Sequence, residues 1–516
     1  MENKNKALPN QPDPPGNNQN KLQKNARFLD LLKKDIEEHQ ANFETMKTKS
    51  PETQELPISV EHAEILSLLI EQIVEVRFRE VTGLTDESQK LLKKHYLVCC
   101  IENVLETAHQ CNWGICRHHH FIYLYNSQYW SLIDKAEIEG FLGVAAEKMG
   151  IDKYDARHYM FREQLFKQFL AVANLPKPVP SDEVVYINLL NGTFEISTQQ
   201  QMLRQPDRHD FMTYQLPFSY DVNATCPMFN KYLNTVLPDT ERQYILAEYL
   251  GSLFIKSSRL KLEKALLLYG SGANGKSVFF EIVNALLGGT ENVSSYSLQA
   301  LTNENGYYRA MLANKLVNYA SEINGKLETS IFKQLVSGEP VEARLPYGDP
   351  FTMTDYAKLI FNCNELPKDV EQTPAYFRRL LIIPFDVTIP EGEQDKELAR
   401  KIIGSELSGV FNWILEGLKR LLSQKNFTHS EAVDHQIELY KKQSNSVQLF
   451  LDEENYEKSI ESYEDFKSVY TSYRTYCLDS GYRPVAKRTF GERLKAIGIE
   501  MEKRNFGIVV FLRKSY

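Results

Sequence analysis

Apolar residues recur along this chain with two periods, and the points where one period gives way to the other divide it into elements. Residues 1–25, rich in Asn, Gln, Pro and Lys, carry too little apolar surface to fold and are expected to be a disordered tail. Phe28, Leu31, Leu32, Ile36, Phe43 and Met46 then fall on one stripe of a charged helix, broken by Lys-Ser-Pro-Glu at 49–52. Residues 65–78 and 91–105 predict two further helices, the second with Cys99 and Cys100 on a buried face. At Phe121 the period drops to two. A strand over 121–125, a turn at Asn126-Ser127 and a strand over 128–133 follow, and Asp134 then caps a helix ending at Gly150. Asn191-Gly192 joins strands 184–188 and 192–196 into a hairpin. Residues 217–227 read as an extended linker into helices at 228–236 and 240–256. From there the strands change character: 266–269, 315–320, 357–364 and 380–385 are mostly apolar, as expected of buried strands.

The first of those runs leads into the most informative stretch, Gly270-Ser271-Gly272-Ala273-Asn274-Gly275-Lys276-Ser277. A phosphate chain must be gripped by converging backbone N–H groups, and only small, permissive residues let the backbone approach so closely. Val278, Ile282, Leu286 and Leu287 continue at helical spacing, so a helix N-terminus points at the same phosphates. Strand, glycine-rich turn, Lys-Ser and helix together spell a P-loop for ATP. Lys276, reaching from solvent, is assigned to the β and γ phosphates, and Ser277 to Mg²⁺.

ATP hydrolysis also requires a carboxylate near metal and water, a polar group at the γ phosphate, and in many assemblies an arginine from outside. In chain order these are Glu322 at the tip of the 315–320 strand, Asn364 at the end of the 357–364 strand, and Arg378-Arg379 before the 380–385 strand. Between them residues 331–336 predict a helix and 341–351 a hairpin with its turn near Gly348.

Composition adds limits. Lys plus Arg number 60 against 68 Asp plus Glu, net −8, so any nucleic-acid surface is local. Seven scattered cysteines indicate a reducing compartment. Cys111, Cys116 and His118-His119-His120 lack the second ligand pair of a structural zinc site and are read as core and strand edge. No secretory segment or membrane-length apolar run is present, which makes a soluble, cytoplasmic protein the expectation.

From residue 120 to the end the chain resembles the superfamily 3 helicases of the poxvirus primase-helicase and phage/plasmid primase type. The resemblance rests on Asn188-Leu-Leu-Asn-Gly-Thr-Phe194, Gly270–Ser277, Ser321-Glu322, Lys333 with Ser337-Gly338-Glu339, Asn364-Glu-Leu-Pro367, Phe377-Arg378-Arg379 and Pro384-Phe385, in family order. It implies an α/β fold: a P-loop AAA+-like core with an α+β N-terminal helicase-associated domain and a C-terminal winged helix. The expected domains are the tail at 1–25, a helical region at 26–115, the helicase-associated domain at 116–238, the ATPase at 239–430 and the winged helix at 431–516. It further implies a homohexameric ring on single-stranded or forked DNA. Lys276, Glu322 and Asn364 would be catalytic, Ser277 and Glu322 metal-binding, Arg378 or Arg379 a finger acting on the neighbouring subunit, and Lys333, Arg344 and Tyr347 channel contacts. The helices before residue 116 show no strand-borne Asp-x-Asp pair of a two-metal polymerase site, so a separate primase is the expected partner.

Between Arg483 and Lys514 nine basic residues meet three acidic ones, a net of +6 in a chain of net −8. Helices at 463–479 and 487–497, strands at 499–503 and 508–512 and a turn at 505–507 put Lys487, Arg488, Arg493 and Lys495 on the second helix, where they can meet phosphates or a groove. The reading is an ATP-dependent replicative helicase of a phage, plasmid or mobile element, working in the host cytoplasm. An ATP-switched initiator or loader shares every motif, whereas a small-molecule kinase needs neither the paired arginines nor the basic domain.

Overall fold

The computed structural model describes residues 60–515 apart from 87, 175–183, 322, 324–327, 347 and 369. The tail, the charged helix at 28–46, Glu322 and Tyr347 therefore lie outside the described residues.

The chain is mixed α/β, built on a five-stranded parallel sheet. Its order across the sheet is Leu380–Pro384, Ala265–Tyr269, Lys358–Cys363, Val317–Ala320 and Val293–Ser294. Side chains alternate across a strand, and the apolar runs use that period to serve two cores at once. Leu266, Leu268, Ile360, Tyr319, Leu381 and Ile383 face one core, with the helices Pro227–Val236, Thr240–Ser252, Lys276–Leu287 and Leu407–Gln424 contributing to it. Ala265, Leu267, Phe361, Leu380 and Ile382 face the other, together with residues of the Thr329–Ser337 helix and the Val341–Arg344/Pro350–Met353 hairpin.

Ahead of the sheet, the helices His62–Gln72, Lys93–Gln110, Lys135–Lys148 and Tyr159–Val172 bury Ile65, Ile101, Ile138, Leu165 and their neighbours in a third core, with Cys99 and Cys100 inside it as expected. Asp134 occupies the N-cap position of Lys135–Lys148 but its side chain makes no capping bond. The hairpin read at 121–133 carries a third strand, Gly114–His118, running back from Phe121–Tyr125 through His119, which takes φ 53°. The hairpin at Val185–Leu189/Gly192–Ile196 likewise gains Gln201–Arg204.

Residues 217–226, read as an extended linker, instead bend at 217–218 and turn at 222–223, with the Ala224 N–H donating to the Asp221 carbonyl, and they are held rather than loose. Asn412 Nδ2 donates to the carbonyls of Asp221 and Ala224, Asp221 N–H donates to Ser408 Oγ, and Phe218 and Tyr220 pack on Phe411. The Glu406 carboxylate accepts the N–H groups of Met228 and Phe229, at the start of the Pro227–Val236 helix, where negative charge is favoured.

The Glu431–Gln443 helix seats Val433 in the first sheet-facing core and Tyr440 in the second. A fourth core begins at Val447 and runs to Leu512. There the helices Ser446–Glu453, Phe466–Asp479 and Lys487–Ala496 pack with a sheet ordered Glu464–Asp465, Gly507–Val510, Met501–Arg504. No helix among the described residues is long and apolar enough to cross a membrane.

Candidate nucleotide site at the carboxyl edge of the sheet

Tyr269, Cys363, Ala320 and Pro384 end their strands on one edge of the parallel sheet. The glycine-rich loop starts there and closes on the Lys276–Leu287 helix. Two of its glycines are dictated by geometry. Gly275 takes φ 84°, and a Cβ on it would stand 2.7 Å from Val236 Cγ1; Gly270 has room for no side chain, with Phe385 O 2.5 Å from where a Cβ would be. Tyr232 Oη donates to the Gly275 carbonyl at 2.8 Å, and Ile389 N–H donates to the Ala273 carbonyl at 2.8 Å, so the loop is fixed from both flanks.

Lys276 is buried, 6 % exposed, which corrects the solvent-reaching side chain read from the motif. Its ammonium donates to the Gly270 carbonyl at 2.6 Å and to Asn274 Oδ1 at 2.9 Å, while Asn274 Nδ2 donates to the Phe385 carbonyl. Burial lowers the Lys276 pKa from the ordinary lysine value and pushes the neighbouring Cys363 thiol up to about 12. Ser277 is exposed and opens onto a cleft shared with Glu281, Tyr319, Ser321 and Asn362.

Asn364 stands exposed just beyond the end of its strand, while Asn362, two residues earlier, lines the cleft with Ser277. The Tyr319 hydroxyl donates to Asn362 Oδ1 at 3.1 Å, which orients the amide and takes one of its two lone pairs; the side chain keeps two N–H donors to offer a ligand. Asn362 was missed in the sequence, although a polar residue inside an otherwise apolar strand was the available signal. Ser321 follows Ala320 at the same edge and Glu322 comes next in the chain, outside the described residues.

The two arginines lie at the other end. The Arg379 carbonyl accepts the Ala265 N–H at 2.8 Å, which puts it at the amino edge of the sheet. That is a strand length, about 13 Å, from the glycine loop, so a single chain does not bring them to Lys276. Arg379 is buried: Nε and Nη2 donate to Ser337 Oγ at 3.0 and 2.9 Å, and Nη1 to the Ala375 carbonyl. Arg378 is exposed and reaches Glu263 at 3.5 Å.

Lys333 pairs with Glu371 at 2.8 Å. Arg344, exposed near the hairpin turn, donates to the Gly348 carbonyl at 2.9 Å. On the Lys487–Ala496 helix Phe490, Gly491 and Leu494 are buried, Lys487, Arg488 and Lys495 are exposed, and Arg493 is half-buried.

Comparison with known proteins adds three findings. Residues 89–238 match the "D5 N terminal like" family model, and residues 268–379 match a family of unknown function, DUF5906. The "Putative helicase L207/L206" of Acanthamoeba polyphaga mimivirus is 26 % identical over 240 residues, 44 % of this chain and 24 % of that protein, so the chain spans about a quarter of the relative's length. Two solved structures of the NrS-1 C-terminal region are each 12 % identical, covering 80 % and 79 % of this chain and 98 % and 97 % of theirs, with TM-scores of 0.46 and 0.44. The D5 N-terminal-like region and the similarity to a helicase-named viral protein fit a phage or viral primase-helicase type.

Proposed function

We propose that this chain is the motor of an ATP-dependent replicative DNA helicase, which hydrolyses ATP to translocate on single-stranded DNA and unwind duplex. The observation that carries the reading is the meeting of the tightly constrained loop, Lys276, Ser277 and Asn362 at the carboxyl edge of one parallel sheet, where open α/β sheets bind their ligands. The strand, loop and helix fit a P-loop: a glycine cradle that excludes side chains, a helix N-terminus facing it and a lysine within it.

In this reading Lys276 exchanges the Gly270 carbonyl for phosphate oxygens, and Ser277 and Glu322 hold Mg²⁺. Held there, Mg²⁺ would neutralise part of the phosphate charge. Glu322 orients the attacking water, and Asn362 shares γ-phosphate sensing with Asn364. Arg378, exposed where Arg379 is locked to Ser337, is the finger offered to a neighbouring subunit of a homohexameric, AAA+-like ring. Lys333, Arg344 and Tyr347 face the channel. The N-terminal sheets act as the helicase-associated domain, and the C-terminal three-helix unit with its hairpin acts as a winged helix. A separate primase and a host cytoplasm complete the reading.

The test is strand displacement by the purified chain on a forked duplex. Displacement is expected with ATP and Mg²⁺ and none with a non-hydrolysable analogue. ATP-dependent binding without displacement would favour the initiator or loader instead.

The basic helix gives a second measurement. Replacing Lys487, Arg488 and Lys495 together by Ala is expected to flatten the salt dependence of duplex binding, since each phosphate that goes unneutralised reduces the log–log slope by about 0.9. An unchanged slope would assign this helix to packing or protein contacts.

A further inference from the structure

The hairpin Met501–Arg504/Gly507–Val510 turns through Asn505 and Phe506. Turn positions normally take Gly, Asn, Asp or Ser, yet here a phenyl ring stands 68 % exposed at the tip. Nothing in the hairpin requires it. The adjoining core closes beneath, with Val509, Val510 and Leu512 buried, and a ring left in water forgoes the stabilisation that burial would bring.

Its surroundings are cationic and aromatic. Ile508, two residues on and exposed, pairs across the hairpin with Lys503. Arg504 stacks its guanidinium 4.2 Å from the ring centroid of the exposed Tyr463. The start of the basic helix lies on the same side: Lys487 Nζ sits 5.2 Å over the Phe466 ring, and Asp465, next to Phe466, puts its carboxylate 3.6 Å from where a Cβ on Gly507 would be. Of the nearby carboxylates, Glu492 and Glu502 pair with Arg488 and Arg504, and Asp465 accepts the Ser468 N–H at the start of the Phe466–Asp479 helix. An exposed apolar ring on the turn that follows Lys503 and Arg504, with Lys487 over the neighbouring Phe466, matches a polyanion that also offers flat apolar faces. Single-stranded nucleic acid has that chemistry, because its bases are unstacked and its phosphates flank them.

We propose that Phe506 is a stacking platform for an unpaired nucleobase at a single-strand/duplex junction, with Lys503 and Lys487 taking the flanking phosphates. This rests on the DNA-handling reading above and names the part of the substrate that the C-terminal unit holds.

The test uses the full chain without nucleotide. Binding is measured by anisotropy on a fork, on a single strand and on a blunt duplex, with 2-aminopurine at the fork junction reporting stacking by its quenching. Phe506→Ala is expected to weaken fork and single-strand binding about 5- to 150-fold, the range for removing one base–aromatic stack. It should also abolish the quench and leave blunt-duplex binding as it was, while Phe506→Trp restores both signals. Unchanged fork affinity and quench in Phe506→Ala overturn the proposal, and so does an equal loss on fork and blunt duplex, which would make the ring part of a general duplex surface. If the unaltered chain binds no DNA at all, the DNA-handling reading falls with it. If that chain binds the fork and Phe506→Ala does so equally well, only the stacking site falls, and the exposed ring is left to a protein partner.

Discussion

Lys276→Ala is expected to remove ATP hydrolysis, and with it strand displacement, while the chain still folds. The ammonium is the one charged donor the loop directs inward, and it is held on the Gly270 carbonyl and Asn274 Oδ1 at the mouth of the helix dipole. Without it the phosphates lose their cationic partner in a site where burial strengthens electrostatics. Because the side chain is buried, the substitution also carries a structural cost. Two acceptors lose a donor, worth about 1–3 kcal/mol, which should appear as a lower melting temperature with an unchanged circular-dichroism spectrum. Phosphate release is the decisive measurement, and activity above a few per cent of the unaltered chain would take the loop out of the mechanism.

Arg378→Ala should suppress hydrolysis by about 10³- to 10⁵-fold with nucleotide binding nearly kept, the range known for arginines that stabilise transition-state charge from outside the site. The structure separates its two arginines before any assay. Arg378 is exposed and reaches Glu263 at 3.5 Å, whereas Arg379 is 7 % exposed and bonded to Ser337 and Ala375. Arg379→Ala is therefore expected to act through folding, lowering thermal stability together with activity, since it strands buried polar partners. Both arginines sit a strand length from the glycine loop, so Arg378 can act only on a neighbour's nucleotide. Mixing tests this. Arg378→Ala and Lys276→Ala chains, each inactive alone, should recover some hydrolysis together, because a mixed interface can pair an intact loop with an intact finger. Co-assembled mixtures that stay inactive, or an Arg378→Ala chain of normal activity, would remove the finger.

Much of the sheet and its loop could be read from local pattern. A strand buried on both faces must be apolar throughout, so Leu266–Leu268, Leu359–Phe361 and Leu380–Ile383 identify themselves without knowledge of their neighbours. The glycines are equally legible, because φ 84° at Gly275 and φ 113° at Gly272 are backbone conformations that few other residues adopt without strain. The short edge strands Gly114–His118, Gln201–Arg204 and Glu464–Asp465 escaped, since each is recruited by a partner strand rather than by its own periodicity.

By itself the sequence determined the buried strands, the loop with Lys276 and Ser277, the paired arginines and the basic C-terminal helix, because each follows from a residue's own φ preference, volume or charge. Only the tertiary structure decided that Lys276 is buried, that Asn362 shares the cleft with Ser277, that Arg379 is tied to Ser337 while Arg378 faces solvent, and that the 217–227 segment is clamped to the Leu407–Gln424 helix. The arginine, cleft and linker contacts join residues tens to hundreds of positions apart, and although Lys276 bonds within its own loop, its burial, like those partnerships, is set by how the elements pack.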